Sequence, residues 1–219
     1  MNLISDIHYD HAYTKVKQSF IKKNLRKMIS PNKHLILNGG ICNIYHQERL
    51  VDILSFLREI VNKEKHIFYV PGAHEYYGCV STRDTIYTID MKIRRICESL
   101  NIEFVQETVI EGKDFIIMGC TLWSYIGEHT YSITSDSYLV FDDIQEHINT
   151  HCKHVIWLTN AIKKHTDKKK KLILMTSHLP SFKVLSSLYN EHVNSSSLAS
   201  SLEHLIKYAD VWTCGHYNT

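Results

Sequence analysis

Residues 66–75 read His-Ile-Phe-Tyr-Val-Pro-Gly-Ala-His-Glu, an apolar run closed by a Pro-Gly pair and followed at once by histidine and glutamate. A short apolar run bounded by turn residues predicts a buried β-strand. Four further segments place Asp, Asn or His directly after an apolar run in the same way. They are Asp6-Ile7-His8, residues 38–43 (Asn-Gly-Gly-Ile-Cys-Asn), Ser177-His178 and residues 215–218 (Gly-His-Tyr-Asn).

The common position of these polar residues predicts where a site would form. In open α/β sheets, ligands bind in the crevice outside the carboxyl ends of the strands. The five segments are therefore expected to meet at one place, and imidazole together with carboxylate suits Zn, Mn or Fe. Each segment alone is a weak signal, because a single histidine after a strand more often bonds within the protein. The order of all five predicts a metal site.

The composition bounds the class of protein. The 219 residues carry a formal net charge of +2, with 44% hydrophobic and 22% charged residues. This is typical of a soluble globular protein, and the length favours one domain over residues 1–219. The low net charge and the lack of a basic stripe interleaved with aromatics argue against nucleic acid as a partner. No apolar run approaches the roughly 18 residues of a membrane span, and residues 1–10 do not resemble a signal peptide. A cytoplasmic location is expected.

Between the five segments, short apolar runs alternate with amphipathic helical patterns, which predicts a layered α/β fold. Residues 123–137 are polar and aromatic without a period and are predicted to form a loop. Residues 195–208 are predicted to form the last helix. The long helix predicted over residues 138–165 carries several histidines that suggest an exposed face: His147, His151, His154 and His165.

In this order and context, the segments resemble the calcineurin-like metallophosphoesterase family. The pattern of that family runs D-x-H, G-D, G-N-H-E/D, H and G-H-x-H, each part after a strand, and the resemblance covers residues 3–218. It implies a layered α/β/β/α metallophosphoesterase sandwich with a two-metal site that hydrolyses phosphoric esters.

The resemblance also implies roles for individual residues. Asp6 and His8 match ligands of the first metal, and His178 and His216 match ligands of the second. His74 matches the catalytic histidine near the leaving-group oxygen, which acts as a proton donor or stabilises charge.

Three positions depart from the family pattern. Gly40 stands where the family has the aspartate that bridges both metals, and Ala73 stands where it has a metal-binding asparagine. Asn218 stands where it has the last histidine, so that only a side-chain carbonyl remains as a ligand for the first metal. The sequence ends at Thr219, where relatives continue through a closing strand or two, so a C-terminally shortened sandwich is expected.

The missing aspartate has a calculable consequence. Two dications at ~3.5 Å repel each other by roughly 19 kcal/mol at an effective dielectric constant near 20, and a bridging carboxylate normally offsets this. Without one at Gly40, a paired centre is expected only if Asp10 or Glu75 takes its place. A single divalent ion (Mn, Zn or Fe) or none is expected.

Two functions follow as hypotheses. The first is a pseudoenzyme with a binding or scaffold role, whose partner is a phosphoester small molecule or a protein. The second is a metal-dependent phosphodiesterase or phosphatase that works with one metal or with substitute ligands. Nucleic-acid cleavage ranks last, and no membrane partner is expected.

Overall fold

The computed structural model describes residues 1–166, 169–185 and 195–216. Its strands form two sheets of four strands each. In the first sheet all neighbouring strands are parallel, in the order β1-β2-β3-β4. These strands are β1 (Asn2–Ile4), β2 (Leu35–Asn38), β3 (Ile67–Val70) and β4 (Glu103–Phe104).

In the second sheet the order is β5-β6-β7-β8, with an antiparallel β5–β6 hairpin and parallel pairs after it. These strands are β5 (Thr108–Glu111), β6 (Phe115–Cys120), β7 (Lys171–Thr176) and β8 (Val211–Thr213). The helices are α1 (Lys15–Met28), α2 (Gln47–Ile60), α3 (Ala73–Tyr76), α4 (Cys79–Thr82), α5 (Ile86–Ser99), α6 (Glu128–Ile133), α7 (Ser135–Tyr138), α8 (Ile144–His165) and α9 (Glu203–Ile206).

The alternation of side chains along the strands builds the layers. Leu35 and Leu37 of β2 share one apolar cluster with Leu50 and Leu54 of α2, on the helical side of the first sheet. Because successive side chains of a strand point to opposite faces, Ile36 between them lies on the other side.

That other side faces the second sheet. Ile36 clusters with Phe68 of β3 and with Ile117 and Ile173 of the second sheet. The outer face of the second sheet, including Ile116 of β6, packs against α8. The order helix, sheet, sheet, helix is the predicted layered α/β/β/α arrangement, and it is confirmed.

Two predicted elements are wrong. Residues 123–137 include the short helix α6 and all but the last residue of α7. Residues 195–208 contain a 3-10 turn (Ser195–Ser197) and the four-residue α9 rather than one long helix. In α6 the one buried residue is Thr130. Such short helices are stabilised by tertiary contacts, and they are too short to show a helical period of apolar residues in the sequence.

The expected exposed face of α8 is also wrong. His147, His154 and His165 are buried, and only His151 is partly exposed. The three buried rings share the inward face of α8 with Leu158. Among the described helices, none is both long enough and apolar enough to cross a bilayer.

Candidate metal centre

The loops after β1, β2, β3, β7 and β8 meet at one edge of the two sheets. The backbone N–H of Asp6 donates to the carbonyl of Gly39 (3.0 Å), and that of Gly215 donates to the carbonyl of Ser177 (3.0 Å). The backbone N–H of His216 donates to Asp6 Oδ2 (3.1 Å), which joins segments 210 residues apart. The carboxyl ends of both sheets therefore form one continuous site.

Glu75 holds two of these loops in place. Its buried carboxylate accepts hydrogen bonds from the backbone N–H groups of Gly40 (3.0 Å), Ile41 (2.6 Å) and Gly72 (2.8 Å), and from the hydroxyl of Tyr69 (2.8 Å). Leaving a buried polar group without a partner costs several kcal/mol. A movement of Glu75 away from these donors would therefore destabilise the fold. Glu75 is committed to the loops and is not a substitute bridging ligand.

The backbone at position 40 has no room for a side chain. Gly40 has a φ of +63°, and a Cβ there would lie 2.7 Å from Asp6 Oδ1 and 2.9 Å from Asp6 Cα. The backbone of Asp6 is itself held in the left-handed region, with a φ of 54°. The loop therefore lacks both the charge of an aspartate and the space for its side chain at position 40.

A first group of candidate ligands, the histidine cluster, consists of His8, His11 and His74. One nitrogen from each ring lies within 4.8 Å of one nitrogen of each other ring. His74 Nε2 lies 2.9 Å from Asp10 Oδ1 and 3.0 Å from Asp10 Oδ2, and the backbone N–H of Asn43 donates to the same carboxylate (3.2 Å). Asp10, which the sequence offered as a substitute bridging ligand, is engaged with His74.

The charges of this pair stabilise each other. Burial alone would raise the pKa of Asp10, but the hydrogen bond and the charge of His74 hold it well below its usual range. Burial alone would lower the pKa of His74, but the hydrogen bond to Asp10 and the nearby carboxylates raise it above its ordinary value. The pKa of His8 is lowered, chiefly by burial and then by His74.

A second group, the carboxylate cluster, consists of Asp136, His178 and His216. Asp136 Oδ2 lies 2.7 Å from His216 Nε2 and 3.9 Å from His178 Nε2, and the hydroxyl of Tyr77 donates to Oδ1. Burial would raise the pKa of Asp136, but the charge of the nearby His216 ring holds it below the usual range. Burial would lower the pKa of His216, and Asp136 raises it.

The surroundings of His178 fit a bound cation. Its Nδ1 lies 3.3 Å from the carbonyl of Thr121, so Nδ1 is the nitrogen placed to donate and the lone pair of the neutral ring lies on Nε2. Burial, and next the charge of His216, keep the pKa of His178 well below its ordinary value. Nε2 is buried without a hydrogen-bond partner in the described part of the chain. A lone pair and the carboxylate of Asp136 thus face each other, an arrangement that a cation between them would satisfy.

The structure brings together most of the residues named from the sequence. Asp6, His8, His74, His178 and His216 all lie at this edge, although the carboxylate of Asp6 belongs to neither cluster. Asn218 lies outside the described residues, and Ala73 is buried at the start of α3.

Two members of the clusters were missed by the sequence reasoning. His11 follows Asp6-x-His8 within one 3-10 turn, Tyr9–His11, so its closeness in sequence was an available signal. Asp136 comes from α7, in a stretch predicted to be loop, and no spacing pointed to it.

Comparison with known proteins places the fold. No family model matches the chain. An uncharacterized protein of Acanthamoeba polyphaga mimivirus is 26% identical over an alignment of 198 residues that covers 83% of this chain and 68% of that protein. The crystal structure of phosphopantetheinyl hydrolase from Mycobacterium tuberculosis superposes with a TM-score of 0.69 and 16% identity, over 98% of this chain and 81% of that one. The chain has a phosphoesterase-like fold, with two His-containing groups at its candidate site that could hold a metal.

Proposed function

We propose that this chain is a degenerate calcineurin-like metallophosphoesterase, a pseudoenzyme that binds a phosphoester in a cation-dependent way without hydrolysing it. The observation that carries the proposal is the backbone at Gly40, where a Cβ would lie 2.7 Å from Asp6 Oδ1. Two cations side by side need an anion between them. Position 40 has no room for that anion, and Glu75 and Asp10 are held by other partners.

The carboxylate cluster would hold the cation. From the sequence, His178 and His216 formed a weak pair of neutral ligands, and Asp136 adds the missing negative charge beside them. Two imidazoles and a carboxylate suit Zn, Mn or Fe. A divalent cation there would supply Lewis-acid attraction for a phosphate oxygen. The hydroxyl of Tyr77 orients the Asp136 carboxylate, as outer partners of metal ligands commonly do.

The ligand class rests on the fold. The superposing protein is a phosphopantetheinyl hydrolase, and a site at the carboxyl ends of the strands is where such folds bind ligands. A small organic phosphoester is the proposed partner, and a cytoplasmic location is proposed with it.

Metal retention and ligand binding test the proposal together. Protein loaded with Zn²⁺ or Mn²⁺ and then dialysed should retain metal, and should bind phenylphosphonate in calorimetry only when loaded. Asp136→Asn should lose the metal held by the carboxylate cluster and the ligand binding that depends on it, whereas Asp142→Asn, on an exposed residue of the same region, should keep both. Equal metal retention and equal ligand binding in the two variants would contradict the proposal.

A second candidate function is a one-metal phosphoester hydrolase, and the Asp10–His74 pair favours it. The raised pKa of His74 increases its protonated share near neutrality, as a proton donor to a leaving group needs. The loaded protein should then release nitrophenolate from bis(4-nitrophenyl) phosphate, and His74→Ala should abolish the release. If the loaded protein and His74→Ala give the same background rate, the pseudoenzyme proposal is supported and this candidate is excluded.

A further inference from the structure

The histidine cluster has no role in the pseudoenzyme function proposed above. It shares no residue with the carboxylate cluster. The ring centroid of His8 lies 4.3 Å from that of His74 and 5.4 Å from that of His11, and the centroids of His11 and His74 are 5.2 Å apart. Three imidazoles this close, two of them within one four-residue segment, are a ligand set that suits Zn²⁺.

We propose that His8, His11 and His74 form a second metal site, which binds Zn²⁺ or a similar transition-metal ion through three imidazoles. This site differs from the one that the family resemblance implies, since His11 and His74 have no ligand role in that pattern. Each ion would have its own ligand set, with the carboxylate of Asp10 beside the histidine cluster and that of Asp136 within the carboxylate cluster.

The buried ring nitrogens of His8 support the site, since the nearby carboxylate oxygen Asp6 Oδ1 lies 3.9 Å from Nε2, beyond hydrogen-bonding distance. Both ring nitrogens of His8 are buried and have no hydrogen-bond partner in the described residues. Buried polar atoms are seldom left unpaired, and such an atom often marks an ion or a water that belongs there. Its backbone is held in the left-handed region (φ 46°) by the hydrogen bond from its N–H to the carbonyl of Gly40 (2.8 Å). The loop thus fixes His8 in place.

Asp10 provides the outer support that such a site needs. Metal-binding histidines commonly donate their second ring N–H to a carboxylate, which fixes the tautomer. His74 Nε2 lies 2.9 Å from Asp10 Oδ1, so in the neutral ring the lone pair lies on Nδ1. The Nε2 atom of His11 lies 3.7 Å from Asp10 Oδ2. That distance exceeds a hydrogen bond, so Asp10 supports the ring of His74 and lies close to that of His11.

His11 would complete the site by a small movement. Imidazoles bound to Zn²⁺ at about 2.0–2.1 Å bring their nitrogens to within roughly 3.4 Å of one another, and here the largest separation is within 4.8 Å. The side chain of His11 is 61% exposed, so its ring can swing inward without displacing packed atoms. Metal binding requires a neutral His74, so the site excludes the role of His74 as a proton donor.

Counting zinc equivalents tests the proposal. Zn²⁺ is titrated into the metal-free full chain in competition with a chromophoric chelator. The wild-type chain should bind two equivalents. His11→Ala should keep only the equivalent of the carboxylate cluster, which is the one that Asp136→Asn should lose. Asp10→Asn should weaken the same equivalent as His11→Ala by about 10–100-fold. His204→Ala removes an exposed histidine of α9 and should bind two equivalents like the wild type.

The outcomes separate this site from the proposed function. Two equivalents of unchanged affinity in His11→Ala would overturn the histidine site, whatever Asp136→Asn does. A wild-type chain that binds a single equivalent, lost in Asp136→Asn and kept in His11→Ala, would also overturn it. If Asp136→Asn keeps two equivalents while His11→Ala loses one, the histidine site stands and the proposed carboxylate site fails.

Discussion

Replacing Gly40 by aspartate would restore the residue that the resembled family has there, and we expect it to destabilise the chain rather than rebuild a two-metal centre. The first part of the cost is conformational. At a φ of +63°, a residue with a Cβ costs roughly 1–2 kcal/mol more than glycine. The second part is steric. The Cβ would lie 2.9 Å from Asp6 Cα, a backbone atom that cannot rotate away, and such overpacking costs typically about 1–3 kcal/mol.

Alanine at the same position isolates these two effects. Gly40→Ala should lower the free energy of unfolding by about 2–5 kcal/mol, the sum of the two ranges. For a chain of this length, about 2–4 °C are lost per kcal/mol, so the melting temperature should fall by about 4–20 °C. The melting temperature of Gly40→Asp should fall further, because the new carboxylate would lie near that of Asp6. Two carboxylates about 4 Å apart repel each other by up to roughly 4 kcal/mol at an effective dielectric constant of 20.

Urea unfolding in a chelator measures these differences without a contribution from bound metal. Gly127→Ala is the matched control, because no atom of the described residues lies within 4 Å of a Cβ built there. Gly127 is the N-cap of α6 with a φ of −93°, so its replacement should cost about 1 kcal/mol or less. If Gly40→Ala were as stable as Gly127→Ala, or if Gly40→Asp kept its stability and gained a metal ion, the steric account of position 40 would be refuted.

Three further changes probe the site and its support. Tyr77→Phe removes the hydroxyl that donates to Asp136 and should weaken Zn²⁺ binding by about 10–100-fold in a chelator competition. Glu75→Gln replaces a carboxylate that accepts four hydrogen bonds and should cost about 3 kcal/mol or more in urea unfolding. Burial holds the pKa of His147 at about 4 and that of His154 at about 3. Because the unfolded rings take up protons near pH 6.5, the free energy of unfolding should fall between about pH 6.5 and 4, by up to about 1.4 kcal/mol per pH unit for each ring.

Each of these expectations has a contrary result. Tyr125→Phe, on a largely exposed tyrosine, should leave Zn²⁺ affinity unchanged, and equal losses in Tyr125→Phe and Tyr77→Phe would contradict the role of the Tyr77 hydroxyl. Glu98→Gln, on an exposed residue of α5, should cost less than about 0.5 kcal/mol. A free energy of unfolding that stays flat from pH 6.5 to 5 would contradict the burial of neutral histidines in α8.

The layers and the convergence of the loops could be predicted because they depend on local pattern. Leu35, Ile36 and Leu37 read as a buried strand, and their alternate faces pack on helix and sheet as the period of two requires. The histidines of α8 escape a prediction from residue type, because their position on the helix decides their burial. His154 and Leu158 are four residues apart and share the buried face, so helical spacing indicated burial although imidazole suggested solvent.

Asp136 could not be found from the sequence, because its position is set by tertiary contacts alone. It lies in the four-residue helix α7, and its partners His178 and His216 follow strands 42 and 80 residues further along the chain. Such a short helix has neither a period nor the length to be stable by itself. The local pattern therefore indicated where the imidazoles would meet but gave no sign of the carboxylate that joins them.

The negative charge of the candidate site is distributed differently from that of the family it resembles. A carboxylate at position 40 would lie between two ions and reduce their repulsion. Here Asp10 lies beside the histidine cluster and Asp136 within the carboxylate cluster, each within hydrogen-bonding distance of an imidazole. Each cluster therefore has its own anion, which favours an ion at that cluster without helping a second ion to approach. Such a site favours cations that bind independently over a pair that clamps one phosphoryl group, and this charge distribution is the physical reason to expect binding without two-metal hydrolysis.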